Sequence, residues 1–222
     1  VGTLDSTGSV SADTGFSIIS YTGNGTQDAT IAHGLSQTPE IAIYKNRSNA
    51  ANWAAIYTSP VGAQEFLLLN TTAAAGVASQ QVGYATTLEL WDDVTNNTNG
   101  HTYIAYAFHS VDGYSKIGSY IGNGNADGTF VYTGFRPAWV MIKRTDSARG
   151  WVIVDSVRDP DNEVLQTLEA DNSDAEYDNS NVLDFLSNGF KTRSTGPSWN
   201  TSGGTYIYMA FAEQPFKYAN AR

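Results

Sequence analysis

The hexapeptide Ser20-Tyr21-Thr22-Gly23-Asn24-Gly25 returns later in the chain as Ser119-Tyr120-Ile121-Gly122-Asn123-Gly124. In both places a strand-like run that contains the Tyr leads into an Asn-Gly pair. Asn and Gly tolerate the positive φ values that tight type I′ hairpin turns require. The stretch therefore predicts a β-strand followed by a turn, present twice in the chain.

Further matches between the two halves keep the same order along the chain. Pro39–Lys45 corresponds to Pro137–Lys143, and Thr102–Phe108 corresponds to Thr205–Phe211. Short runs rich in β-branched and aromatic residues alternate with clusters of Gly, Asn, Pro and Ser, which is typical of sandwich strands. The internal repeat together with this strand pattern predicts an all-β chain of two tandem β-sandwich (jelly-roll-like) domains from an internal duplication. We expect an extended linker at residues 1–14, repeat 1 at residues 15–112 and repeat 2 at residues 113–222.

Composition excludes several classes of protein. Against 12 Lys and Arg, the 222 residues include 22 Asp and Glu, a net charge of -10 that has the wrong sign for nucleic acid. No apolar run approaches the length of a membrane span, so no membrane insertion is expected. The chain has no Cys, so disulfides and thiolate metal sites are excluded. Val at position 1 indicates a fragment of a longer protein or a processed one.

Motifs for chemistry are missing from the sequence. The glycine patterns of nucleotide sites are incomplete, and Ser115 lacks the second glycine of a nucleophile elbow. The three histidines have no counterparts in the other repeat. We therefore expect a protein that is not an enzyme, with no catalytic residue and no cofactor.

Nine carboxylates and no Lys or Arg lie between Asp159 and Asp184. A solvated acidic loop is the preferred interpretation, because charge runs usually face water. One alternative is a Ca²⁺ site, since Ca²⁺ prefers several oxygen ligands together. Its candidate ligands are Asp171, Asp174, Glu176 and Asp178. A second alternative is a carboxylate pair that cleaves glycosidic bonds.

Two Trp-containing loops are the candidate binding surfaces. Trp199 and Asn200 lie in a Ser/Thr/Gly-rich stretch without a strand pattern, and we expect the indole to be exposed. The comparable loop of repeat 1 contains Trp91, Asp92 and Asn97. Aromatic rings beside hydrogen-bonding side chains suit stacking on sugars. The alternative is a Trp folded back over the end of the sandwich.

A family resemblance covers nearly the whole chain from Gly15 onward. It is clearest in four stretches of the second repeat: Gly118–Gly124, Tyr132–Arg144, Asp184–Lys191 and Gly204–Glu213. They resemble a repeat of virion proteins of tailed bacteriophages, especially marine ones. The resemblance implies a structural domain near the C-terminus of a tail fibre or other virion appendage. It also implies a homotrimer that contacts the host surface.

Together these observations predict a virion protein for host attachment that binds a cell-surface glycan or protein through the Trp loops. The first alternative is a capsid decoration or scaffold protein whose loops contact other virion subunits. The second, from another class, is a carboxylate- or Ca²⁺-dependent polysaccharide depolymerase that uses the acidic segment.

Overall fold

The computed structural model describes residues 1–58, 64–78 and 82–215, except the side chains of residues 180 and 181, and this part contains 17 β-strands. The strands are β1 (Ser6–Ser11), β2 (Phe16–Thr22), β3 (Ala29–Ala32), β4 (Ile41–Asn46), β5 (Ala54–Thr58), β6 (Gln64–Leu68), β7 (Gly76–Val77), β8 (Thr87–Leu90), β9 (Thr102–Phe108), β10 (Ser115–Ile121), β11 (Phe130–Tyr132), β12 (Pro137–Arg144), β13 (Trp151–Asp155), β14 (Val164–Glu169), β15 (Tyr177–Leu186), β16 (Gly189–Thr192) and β17 (Thr205–Ala212). None of the described residues is helical, and no helix able to cross a membrane is found among them. The all-β prediction is confirmed.

The chain divides into two compact units whose boundaries differ from the predicted ones. Unit 1 comprises Val1–Asn70 and Gly76–Ser110, and unit 2 comprises Thr71–Ala75 and Val111–Arg222. The main division thus falls after Ser110. The short segment in unit 2 is held by backbone hydrogen bonds, for example from the Ala75 amide to the Thr145 carbonyl at 2.8 Å. The predicted repeat 1, residues 15–112, therefore does not coincide with unit 1, because residues 71–75 and 111–112 belong to unit 2.

Unit 1 is a sandwich of two antiparallel sheets. Its larger sheet has the order β1-β2-β9-β4-β5-β6-β7, and the smaller one pairs β3 with β8. Alternate residues of the central strands, such as Ile19, Tyr44 and Ala105, share one core with Ile31 and Leu88 of the small sheet. This alternation is what a strand with one face in the core requires.

The first 14 residues are not the predicted linker. Strand β1 pairs antiparallel with β2 over its whole length, from Ser6 opposite Tyr21 to Ser11 opposite Phe16. Its side chains are almost all exposed, because it forms the edge of the sheet. An edge strand rich in Ser, Thr and Gly has the composition of a linker, so the sequence did not indicate that these residues form a strand.

Unit 2 contains one eight-stranded antiparallel sheet that encloses its own core. The order is β10-β17-β12-β13-β14-β15-β16-β11. Core residues come from both ends of this order, with Tyr120 from β10 and Val131 from β11 in the same cluster as Val140 of β12. The sheet must therefore fold over on itself. A register irregularity in β14 between Val164 and Gln166 lies in the strand that joins the two halves.

The Asn-Gly pairs do not form the predicted hairpins. Gly25 and Gly124 have φ values of 65° and 69°, but neither Asn24 nor Asn123 has a positive φ, which a type I′ turn would need. In unit 1 the pair connects strands of different sheets. The Asn side chain instead accepts a hydrogen bond from an amide two residues on, at 2.9 Å in both units. That is an Asx turn.

Each unit contains the same buried contact between a Tyr pair and a loop. The rings of Tyr21 and Tyr103 stack at 5.3 Å, and the Tyr21 hydroxyl donates to the Asn96 carbonyl at 2.6 Å. The Tyr103 hydroxyl accepts from the Thr98 amide at 2.9 Å. The two rings thus hold the loop after β8 against the core.

The matching contacts in unit 2 involve Tyr120 and Tyr206. Their rings stack at 4.8 Å, the Tyr120 hydroxyl donates to the Trp199 carbonyl at 2.7 Å, and the Tyr206 hydroxyl accepts from the Thr201 amide at 2.9 Å. The two units share this geometry. Their origin by duplication stays a prediction.

An Asn side chain completes the contact in each unit. Asn97 accepts from the Asn24 amide at 3.0 Å and donates to the Asn24 side chain and the Thr26 carbonyl. Asn200 accepts from the Asn123 amide and donates to the Asn123 side chain and the Asn125 carbonyl. Both amides are 0% exposed. A buried amide with its hydrogen bonds satisfied stabilises a fold, and one left without partners costs free energy.

We predict that Asn97→Ala lowers the free energy of unfolding by about 2 to 3 kcal/mol, because it removes a buried side chain that hydrogen-bonds to the backbone and side chain of Asn24 and to the Thr26 carbonyl. Urea unfolding followed by tyrosine and tryptophan fluorescence measures the change. The matched control is Asn99→Ala, two residues along the same loop and exposed, which should shift the free energy by less than about 0.5 kcal/mol. Equal losses in both variants would contradict the role given to Asn97.

Candidate functional site

The structure places Trp199 inside unit 2. Its side chain is 1% exposed and belongs to the hydrophobic core together with Phe135 and Tyr206. The expectation of an exposed indole in this loop is wrong. The reason is the hydrogen bond from Tyr120 to the Trp199 carbonyl, which holds the loop against the core at that residue.

Asn200 and Asn97 are also unavailable to a ligand. Both are 0% exposed, and their side-chain amides are engaged in the hydrogen bonds described above. The prediction that these two residues contact a ligand is therefore wrong. The polar residues of these loops, whose composition suggested a binding surface, instead form hydrogen bonds within the fold.

Trp91 and Asp92 remain accessible. Asp92 is exposed and Trp91 is half-buried. The Trp91 ring meets the Phe66 ring edge to face with the centroids 6.0 Å apart. Trp91 directly follows β8, at the end of the small sheet. Of the five predicted binding residues, these are the two that a ligand can reach.

An open cleft of about 400 Å³ lies beside Trp91 in unit 1. Phe66, Leu68 and Trp91 contribute its apolar wall. Polar side chains from three different loops converge on the same cleft, namely those of Gln27, Asn52, Asp93 and Thr95. An apolar surface with a few polar groups around it is the usual composition of a small-molecule site.

Asp93 supplies the one formal charge among the described residues that line the cleft. Its Oδ1 accepts hydrogen bonds from the amide and the hydroxyl of Thr95, at 2.7 and 2.6 Å. Its Oδ2 accepts none from any described residue. Asn52 uses its Oδ1 to accept from Asn70 at 3.0 Å and leaves its own NH₂ free of described acceptors. The cleft therefore offers an anionic acceptor, an amide donor and an aromatic surface, and its described lining includes no Lys or Arg.

The acidic segment does not assemble a site from the four predicted metal ligands. Asp171 accepts from the Trp151 amide at 2.5 Å, Glu176 forms an ion pair with Arg158 at 2.6 Å, and Asp178 accepts from Gln166. Asp174 is exposed. Within the described part of the chain, no three His, Asp or Glu side chains are placed to hold a metal ion. Ca²⁺ binding stays a prediction without a site among these residues.

Several other carboxylates of this segment are also engaged in the fold. Asp159 accepts from the amides of Leu165 and Gln166, and Asp184 pairs with Arg193 at 2.5 Å. The prediction of a solvated loop is therefore wrong for these two, although residues 172–178 are exposed. The basic partners lie outside the segment and are brought to it by the fold, as Arg193 shows.

Sequence reasoning missed most of the cleft. Gln27, Asn52, Phe66 and Asp93 come from four separate stretches, and none stands out in composition. The one signal was Trp91 with its two following acids. Its sequence neighbour Asp92 is accessible but does not line the cleft, whereas Asp93 does.

The chain belongs to the family described as a domain of unknown function, DUF7483, whose model matches residues 1–215. Neither a curated protein nor a solved structure matches the chain.

We predict that Trp199→Ala lowers the free energy of unfolding by about 3 to 5 kcal/mol, since it opens a cavity in the core of unit 2. Guanidinium unfolding measured by circular dichroism gives the loss. Trp199→Phe refills part of the cavity and should restore more than half of the lost stability. A Trp199→Ala chain as stable as the parent would contradict the burial of this side chain.

Proposed function

We propose that this DUF7483 domain is a non-enzymatic attachment module of a tailed-phage virion, located in a tail fibre or other appendage, and that it binds a host surface glycan in the Trp91 cleft of unit 1. The observation that carries this proposal is the cleft itself, with an aromatic wall and convergent polar side chains. The resemblance of the repeat to phage virion proteins supports the setting. Homotrimer formation belongs to the same proposal.

Sugar rings suit this lining for a physical reason. A pyranose has an apolar face of C–H groups and a rim of hydroxyls, so it needs an aromatic surface and hydrogen-bonding groups around it. Trp91 and Phe66 supply the first, and Gln27, Asn52 and Asp93 supply the second. Amide and carboxylate groups provide both the donors and the acceptors that hydroxyls require.

Charge narrows the class of glycan. Residues 1–112 include 9 acidic and 2 basic residues, a net charge of -7 by subtraction. Asp93 brings a negative charge into the cleft, and none of the other described lining residues is charged. Like charges repel and lower both the affinity and the rate of encounter. The cleft therefore fits a neutral or amine-bearing sugar better than a uronate or sulfated one.

We predict that Trp91→Ala weakens binding of the full chain to host cells, or to their purified surface polysaccharide, by about tenfold, which corresponds to about 1.4 kcal/mol. The loss of stacking area is the cause. Surface plasmon resonance on immobilised polysaccharide gives the dissociation constant. Val94→Ala is the control, because this neighbour is 44% exposed and does not line the cleft.

Three outcomes would count against the proposal. Absence of detectable host binding by the parent chain would remove the attachment role. Release of reducing ends from the polysaccharide would show a depolymerase instead. Location of the chain on the capsid by electron microscopy would favour the decoration or scaffold function.

We predict that Asp93→Asn changes the preference of the cleft and leaves the fold intact. Asn retains the Oδ1 that accepts from Thr95, so stability should change by less than about 1 kcal/mol. The variant should bind a polyuronate more tightly relative to a neutral polysaccharide, by about fivefold or more. Competition binding with the two polymers measures the ratio. An unchanged ratio would exclude Asp93 as the selecting group.

A further inference from the structure

A second depression of unit 1 lies on the large sheet, on the face opposite the core. Its volume is about 270 Å³, and its lining comes from β1, β2, β9 and the chain just after β4. It extends from Asp5, which precedes β1, to Arg47, which follows β4. We call it the Arg47 groove. No described residue lines both this groove and the Trp91 cleft.

The strand register arranges the groove residues in two rows. Thr22 lies opposite Thr102, and the Arg47 amide donates to the Thr102 carbonyl at 2.8 Å, so these three residues form one row. Ser20 lies opposite Thr7 and belongs to the next row. Both rows are on the same face of the sheet, because residues two apart on a strand point the same way. The groove therefore brings an arginine together with a patch of hydroxyls.

Arg47 supplies a free positive charge to the groove. Its side chain is exposed, and its guanidinium forms no ion pair or hydrogen bond with a described residue. Lys45 is the only other basic residue before position 112. Its Nζ already donates to the Ala51 carbonyl at 2.5 Å and lies 5.6 Å from the centre of the Trp53 ring. A free guanidinium presents a planar fork of N–H donors that fits a carboxylate or a phosphate.

Free hydroxyls lie beside this charge. Those of Thr7, Ser20 and Thr22 form no hydrogen bond with a described residue. A hydroxyl both donates and accepts hydrogen bonds, so these groups suit the hydroxyls of a sugar ring. Asp5 is the one acid among the described residues that line the groove. Three strand spacings, about 14 Å, separate β1 from β4, and Asp5 forms no ion pair with Arg47.

The corresponding position of unit 2 has no charge. Thr145 takes the place of Arg47, because its amide donates to the Thr205 carbonyl at 2.9 Å, as the Arg47 amide does to the Thr102 carbonyl. The Thr145 side chain is buried, and its hydroxyl shares a hydrogen bond of 2.7 Å with the Thr205 hydroxyl. The architecture that the two units share therefore does not require an arginine at this position. An exposed arginine there indicates a role specific to unit 1.

We propose that the Arg47 groove binds an acidic sugar. The anionic group, a carboxylate or a phosphate ester, pairs with the Arg47 guanidinium, and the ring hydroxyls bind the hydroxyls of Ser20 and Thr22. The groove volume is near the lower limit of small-molecule sites, which suits one sugar ring. Because unit 1 is otherwise acidic, the affinity for an anion depends on this one guanidinium.

The test compares three glucose derivatives that differ at C6. Methyl glucuronide carries a carboxylate there, methyl glucoside a hydroxyl, and methyl glucoside 6-phosphate a phosphate ester. Each is titrated into the full chain and followed by proton–nitrogen correlation NMR. We expect saturable shifts with a dissociation constant of about 1 mM or below for at least one acidic derivative, and binding at least fivefold weaker for methyl glucoside. The tighter acidic derivative identifies the anionic group.

Two variants test the roles of the side chains. Arg47→Gln should weaken binding of the acidic derivative at least fivefold, because it removes the charge from an exposed position and leaves the core intact. Thr22→Val keeps a β-branched side chain in the strand and removes a free hydroxyl, so it should weaken binding about twofold. Lys116→Gln is the control, because it removes a positive charge from β10 of unit 2 and should leave binding unchanged.

Several results would overturn the proposal. They are the absence of saturable shifts with both acidic derivatives at tens of millimolar, and binding that Arg47→Gln leaves unchanged. Inorganic phosphate that binds as tightly as the sugars would show a simple anion site. Loss of acidic-sugar binding in Trp91→Ala would assign the ligand to the Trp91 cleft. Failure of the chain to attach to host cells would count against the proposed function alone, since the probes here are defined compounds and the groove shares no described residue with the cleft.

Discussion

The buried hydrogen bonds between a stacked Tyr pair, an Asn side chain and the loop around it are the constraint on which both units depend. In unit 1 the Tyr21 hydroxyl and the Asn97 amide hold the loop after β8. In unit 2 Tyr120 and Asn200 hold the loop before β17. These polar groups are buried, so each must find a partner within the fold or cost free energy. The loops therefore have one conformation, although their Ser, Thr, Asn and Gly content is typical of flexible segments.

This constraint separates the two Trp loops that look equivalent in sequence. In unit 2 the hydrogen bond to the Trp199 carbonyl brings its indole into the core. In unit 1 the matching bond reaches the carbonyl of Asn96, and Trp91 lies five residues earlier at the margin of the small sheet. One Trp is thus structural and the other contributes the wall of a cleft. Whether the Trp lies in the core or beside a cleft therefore depends on which loop residue accepts the hydrogen bond from the Tyr hydroxyl.

The unpaired edges of the β-sheets are a second constraint on the fold. A β-sandwich leaves unpaired backbone groups at its open side, and these groups favour pairing with any strand that arrives. Unit 1 uses its polar N-terminal segment to cover both edges at once. Unit 2 instead forms one continuous sheet from β10 to β11.

The amino-acid sequence by itself determined the β class, the two similar units and the lack of familiar catalytic motifs, because strand alternation, turn residues and motif spacing are local properties. It did not determine which polar residues face water. Asn97 and Asn200 each find hydrogen-bond partners only because loops distant in the sequence meet inside their own unit. Arg193 likewise forms an ion pair with Asp184, which lies on the neighbouring strand. Only the tertiary structure decided that Trp199 is buried, that residues 6–11 form a strand, and that Gln27, Asn52, Phe66 and Asp93 share one cleft. The physical reason is that the burial of a side chain and the meeting of side chains in one cleft depend on contacts between residues far apart in the chain. Composition and local sequence patterns do not show these contacts.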